Sequence, residues 1–161
     1  RSYSVTGVQT CALPILTIHK LEALLAAYGG DYLVVDFNHL FISSTLREEA
    51  WLLRQGDDPA LIARVVEQAR EFGIHNATAD RELGAYSGGE QAILACLLLL
   101  AAIEAKGLSG VRVLLYNVLD SLSGDNRRAL VARFLAARDR LSLYRNEPSA
   151  AVEAAPLTVE G

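Results

Sequence analysis

Ser87-Gly88-Gly89-Glu90 stands directly ahead of a stretch, residues 92–103, that is apolar at every position. Glycine is costly inside a helix and useful where the backbone has to come close to something else. A serine and two glycines at a helix entrance leave backbone N–H groups pointing outward, with the positive end of the helix dipole behind them and no Cβ in the way. The chemistry this suits is the holding of a phosphate, and Ser87, Gly88, Gly89 and Glu90 are the candidate residues for it. A plainer reading also fits the four residues alone: a serine-capped helix start with a flexible entry.

Other reactive side chains offer less. His19, His39 and His75 are widely separated, with no carboxylate at ligand spacing, so no metal site is expected. Lys20 and Lys106 are the only lysines, and neither lies in a Gly-rich loop. Cys96 falls inside the apolar run and reads as a small buried residue. Arg127 and Arg128 read as a solvated helix face, and Trp51, beside Leu52 and Leu53, as either core or a contact to a partner.

The elements that must position the Ser-Gly-Gly entrance follow from periodicity and punctuation. The spacing predicts a helix over 16–28, a strand over 32–37, and a helix over 46–55 opened by a Thr45/Glu48 capping box. Asp58-Pro59 opens the next helix, with Leu61, Ile62, Val65, Val66, Ala69 and Phe72 on one face. A loop over 73–84 leads to the apolar helix, predicted from about 90 to 104, which has to be enclosed because it is apolar all round. Val111 to Tyr116 reads as a central strand, and Asp125 as the cap of a helix over 127–138. A strand over 141–145, a short helix over 148–155 and a strand over 157–159 complete the pattern. Strand and helix in alternation imply an α/β fold with a mostly parallel sheet.

Composition sets the frame. The chain has 161 residues, 52% of them hydrophobic, and a net charge of −4, enough for one compact domain. With a pI near 5.4 and no Lys/Arg cluster, the electrostatic footprint of a nucleic-acid binder is missing. The apolar run is shorter than the roughly 20 residues that span a bilayer, so a buried helix is expected. Two cysteines, Cys11 and Cys96, give no disulfide framework and suggest a reducing compartment. Residues 5–15 resemble the translation of a sequencing-adapter oligonucleotide. On that resemblance residues 1–15 are a non-native lead and 16–161 the domain, beginning partway through a longer gene.

Several segments together resemble the helical subdomain of ATP-binding cassette (ABC) ATPases, with the flavour of energy-coupling-factor transporters. They are Leu40-Phe41, Thr45-Leu-Arg-Glu-Glu49, Glu71-Phe-Gly-Ile74 and Tyr86-Ser-Gly-Gly-Glu-Gln91, continuing through Val113-Leu-Leu115 and Ser121 to Leu130. The resemblance implies a partial P-loop NTPase domain: a helical subdomain and signature helix over 38–104, and the Walker B half over 111–161. It also implies ATP with Mg²⁺ shared with a second ATPase subunit, a membrane transporter subunit as a further partner, no nucleic acid, and a place at the cytoplasmic face of the membrane.

The departures from the family pattern are equally specific. Where the family has an Asp for Mg²⁺ and a Glu to polarise water, this chain has Tyr116 and Asn117, neither of which is anionic at neutral pH. The D-loop aspartate falls at Ser123, the Q-loop glutamine at Val34 and the switch histidine at Asn146. Asp120, three residues past Asn117, is a shifted carboxylate in the neighbourhood. No Gly-x-x-x-x-Gly-Lys-Ser/Thr is present, whether through truncation or loss. The expectation is a chain inactive alone that lends its signature motif to a partner's ATP. Three alternatives stand beside it: a non-catalytic scaffold or regulatory domain, a chromosome-maintenance or DNA-repair ATPase head, and a translated pseudogene fragment.

Overall fold

The computed structural model describes residues 32–54, 56–146 and 154–156. The predicted helix over 16–28 and strand over 157–159 lie outside them. Strand β1 is Tyr32–Asp36, followed by helices α1 (Leu46–Arg54), α2 (Pro59–Ala69) and α3 (Gly88–Ala105). Then come β2 (Val111–Tyr116), α4 (Gly124–Ala136), β3 (Leu141–Asn146) and β4 (Ala154–Pro156). The sheet order is β1-β2-β3-β4, parallel across the first three strands and antiparallel between β3 and β4. The fold is α/β, with β2 central as its apolar sequence requires.

β4 corrects the end of the helix predicted over 148–155; residues 148–153 lie outside the described residues. Ala154 and Ala155 lie in a strand, opposite Asn146 and Arg145 respectively. Alanine favours helix intrinsically, but an open strand edge offers unpaired backbone groups that outweigh a few tenths of a kcal/mol of propensity.

One face of the sheet, with Leu33, Val35, Val113, Leu115 and Leu143, joins the main core. The other face carries a small separate cluster in which Val34 and Leu114 are covered by Tyr116 and Tyr144. The main core is built on α3. Eleven of its residues are buried, and Leu94, Leu97 and Leu98 are fully enclosed. By length and composition α3 could cross a bilayer, yet 61% of it is buried within the fold, as for a core helix.

The helix starts show where local chemistry acts. Asp58 caps α2, accepting from Leu61 N–H at 3.1 Å, with Pro59 in the first turn. At α1 the expected box is displaced by one residue. Thr45 Oγ1 accepts from Glu48 N–H, but the Glu48 carboxylate takes the N–H of Ser44 instead of that of Thr45. Helix α4 starts three residues earlier than predicted, because its cap is Ser123, whose Oγ accepts from Asn126 N–H. Asp125 instead pairs with Arg128 on the exposed side of the first turn.

The segment before α3 is fastened to the segment before α1. Leu83 N–H donates to Ser44 O at 2.7 Å, and Arg47 N–H to Ala79 O at 3.0 Å. The Arg47 guanidinium makes two bonds to Asp80, at 2.7 and 2.9 Å. That pair raises the Arg47 pKa and lowers that of Asp80, mainly through the shared hydrogen bond. These contacts fix the approach to Ser87.

Candidate functional site

Helix α3 begins one residue after Ser87, so Gly88 and Gly89 are its first two residues and do not precede it as expected. Ser87 Oγ accepts from Glu90 N–H at 3.1 Å, and Glu90 Oε1 accepts from Ser87 N–H at 3.0 Å. This reciprocal cap uses two of the donors at the helix start. Gly88 and Gly89 N–H have no acceptor among the described residues, and Ser87 and Gly88 are exposed. Glu90, one of the four candidate residues, is therefore a capping side chain that leaves the two glycine amides unclaimed.

The glycines also have a packing reason. A Cβ on Gly88 would stand 3.2 Å from Cζ of Phe37, and one on Gly89 would stand 3.3 Å from the carbonyl oxygen of Ser121. Phe37 follows β1, and Ser121 closes the 3-10 turn Leu119–Ser121 that follows β2. The helix start is thus wedged between the loops at the carboxyl ends of two parallel strands, the edge at which open α/β sheets gather ligands.

The residue before the cap is equally fixed. Tyr86 is buried, its carbonyl accepts from Gln91 Nε2 at 3.0 Å, and its hydroxyl accepts from Thr78 N–H at 3.3 Å. Arg81 lies over the Tyr86 ring, 4.9 Å from its centroid, and donates to Ala85 O. Its cation therefore sits beside the positive end of α3.

The other candidate positions collect at the same edge. Tyr116 ends β2 and packs with Val34 and Leu114, so its ring is engaged in an apolar contact. Asn117 follows in the left-handed region, at φ 60°, a conformation that Asn tolerates better than most residues. Ser123 is the α4 cap already described. Asn146 is the last residue of β3. Asp120 is on the surface with Arg145 at 3.6 Å, an ion pair and not a lone carboxylate.

Three further positions are placed by the structure. Val34 lies in the middle of β1 beside Leu114 and is buried, so it offers no polar group; the polar residue at the strand end is Asp36. Arg127 lies on the exposed helix face as expected, and its guanidinium also donates to the carbonyls of Leu119 and Leu122, tying α4 to the turn before it. Trp51 is 51% exposed and so is not core.

Two buried carboxylates had no sequence signal beyond their charge. Asp36 is 1% exposed; it accepts from Asn38 N–H at 3.0 Å and lies 3.1 Å from His39 Nδ1. His39 therefore does have a carboxylate partner, three residues back along the chain. Glu49 is fully buried in α1 and reaches back to Ile42 N–H, Ser43 N–H and Ser43 Oγ through Oε2. It holds the loop that leaves His39, and Oε1 has no partner. Among the described residues, no three His, Cys, Asp or Glu side chains converge as a metal site.

No family model matches the chain, and no curated protein matches it, so the function is argued from this geometry.

Proposed function

We propose that this chain is an ABC-type ATP-binding subunit, or a piece of one, that contributes its signature motif to ATP held by a partner while its own site is degenerate. The carrying observation is the entrance of α3: a capped helix start with Ser87 and Gly88 exposed, the Gly88 and Gly89 amides unclaimed and a serine hydroxyl beside them. Such amides form charge-assisted hydrogen bonds to phosphate oxygens, stronger than neutral ones.

The substitutions at the strand ends support the degenerate half of the reading. Tyr116 serves packing, Ser123 caps a helix and Asn117 is a carboxamide, so no carboxylate at these positions can hold Mg²⁺ or accept a proton from water. ATP with Mg²⁺ would then be bound chiefly by a second ATPase subunit that carries a P-loop. The exposed Trp51 and Leu52 on α1, with Ile42 beside that helix, would meet a membrane transporter subunit. On this reading the protein would work at the cytoplasmic face of a membrane.

The test is to purify the protein with the ATPase encoded beside it and to measure ATP turnover by the mixture. Turnover should appear with the pair and collapse with Gly88→Asp, which sets a carboxylate where the γ-phosphate would lie. Unchanged turnover by that variant removes the proposal and leaves the scaffold reading.

A further inference from the structure

Val34 and Leu114, on the second face of the sheet, are as inaccessible as the main core. Leu114 is 1% exposed and Val34 5%. They are register partners in adjacent strands, as are Leu114 and Tyr144. Neighbours within a sheet only flank a side chain. Closing a central strand to solvent takes a layer above it, and parallel sheets carry such a layer on both faces. Among the described residues, only the half-buried Tyr116 and Tyr144 pack against this pair. All four helices send their buried apolar residues to the main core on the other face, Leu130 and Phe134 of α4 included. The topology explains that bias: right-handed crossovers that step the same way, from β1 to β2 and from β2 to β3, put their helices on one face.

The sequence that leads into β1 fits the second layer. Over 16–28, Ile18, Leu21, Leu24, Leu25 and Tyr28 recur at helical spacing on one side, with His19 and Ala23 opposite. A helix of that length is about 20 Å long, close to the roughly 20 Å that the six residues of β2 span. Gly29, Gly30 and Asp31 separate it from Tyr32, a link of ordinary length between a helix and the strand that follows it. So short a link returns the chain across the sheet, antiparallel to β1. The main face is already filled there, Leu33 and Val35 being buried beneath the helices.

We propose that the second face of the sheet is a docking surface for residues 16–28 of the same chain, which lie outside the described residues. Their apolar side meets Val34, Leu114 and the Tyr116 and Tyr144 rings, and His19 and Ala23 face solvent. The inference is independent of whether the Gly88 entrance meets a phosphate. A chain shortened past Tyr28 leaves an apolar sheet face open, and with it a surface prone to self-association.

The experiment is a map of nuclear Overhauser contacts in the full chain, labelled at Ile, Leu and Val methyls. A sample mixed from labelled and unlabelled protein separates contacts within one chain from contacts between copies. The Leu21 and Leu25 methyls should show cross-peaks to those of Val34 and Leu114 within one chain. In parallel, binding of the apolar dye anilinonaphthalene sulfonate should rise at least threefold in Leu25→Asp and stay at the wild-type level in His19→Asp. Cross-peaks confined to pairs of copies overturn the proposal in favour of a dimer interface. Absence of the cross-peaks, or equal dye binding by the two variants, overturns it outright. Should Leu25→Asp fail to fold, the contact map of the wild type still decides.

Discussion

The Phe37 ring closes against Gly88: a Cβ on that glycine would lie 3.2 Å from the ring's Cζ. The neighbouring Gly89 faces a different kind of obstacle, the backbone carbonyl of Ser121 at 3.3 Å. A ring on a side chain can tilt by a few tenths of an ångström. A carbonyl in a 3-10 turn, tied by Ser121 N–H to Val118 O, cannot do so cheaply. Gly88→Ala is therefore expected to change stability by less than about 0.5 kcal/mol, because the gain in helix propensity offsets the contact. Gly89→Ala should cost about 1–2 kcal/mol through overpacking. Urea unfolding midpoints of the two variants decide the point, and equal midpoints would contradict it.

Replacing the buried Glu49 should be costly. Its Oε2 satisfies two backbone N–H groups and a hydroxyl in a place closed to water. Glu49→Ala leaves these donors without a partner and is expected to destabilise by about 3 kcal/mol. Glu49→Gln retains an acceptor oxygen but buries two further donors where Oε1 has no partner, so an intermediate loss is expected. Denaturant titration of both variants gives the order.

Burial pushes the Cys96 thiol far above its ordinary range. The folded chain then keeps a proton that the unfolded chain releases above about pH 8.5, so the native state binds more protons in alkali. The stabilisation is complete below that pH and declines as pH rises beyond it, by at most about 1.4 kcal/mol per unit. Urea midpoints between pH 8 and 10.5 should fall in the wild type, with that part of the fall removed in Cys96→Ala. In the native state a thiol reagent should label Cys96 only at the rate of unfolding.

Trp51 is the chain's single tryptophan and is half exposed on α1. Its emission should be long in wavelength and readily quenched by acrylamide, and Trp51→Ser should leave the urea midpoint within about 0.5 kcal/mol of wild type. Binding of the proposed membrane subunit should shift that emission to shorter wavelength. A shielded tryptophan in the isolated protein would contradict the fold described for this face.

Much of the sheet was legible because its strands are short apolar runs between turn residues: Val111 to Tyr116 was read with the bounds it has. Helix α2 was equally plain, since Asp58-Pro59 is a complete local start signal. What escaped the sequence depends on contacts distant along the chain or on competition between near neighbours. Ser123 and Asp125 can both cap a helix, and Arg127 reaching the Leu119 and Leu122 carbonyls favours the earlier start. The sequence presents the glycine pair as an open entrance, whereas its clearance for Phe37 and Ser121 depends on which loops meet there. Asp36 and Glu49 carry ordinary acidic signatures, and only their burial distinguishes them from surface charges. A strand at Ala154–Pro156 is set by the free edge of β3, which no local pattern announces.

Helix α3 has its first residue, Gly88, exposed and its body clamped through the middle of the core. A force applied at Gly88 therefore has no soft joint to absorb it. The helix behaves as a stiff rod, and whatever seizes its tip either moves the surrounding domain as one body or moves nothing. Mechanical work done at that tip would be delivered, nearly undiminished, to the far surfaces of the fold.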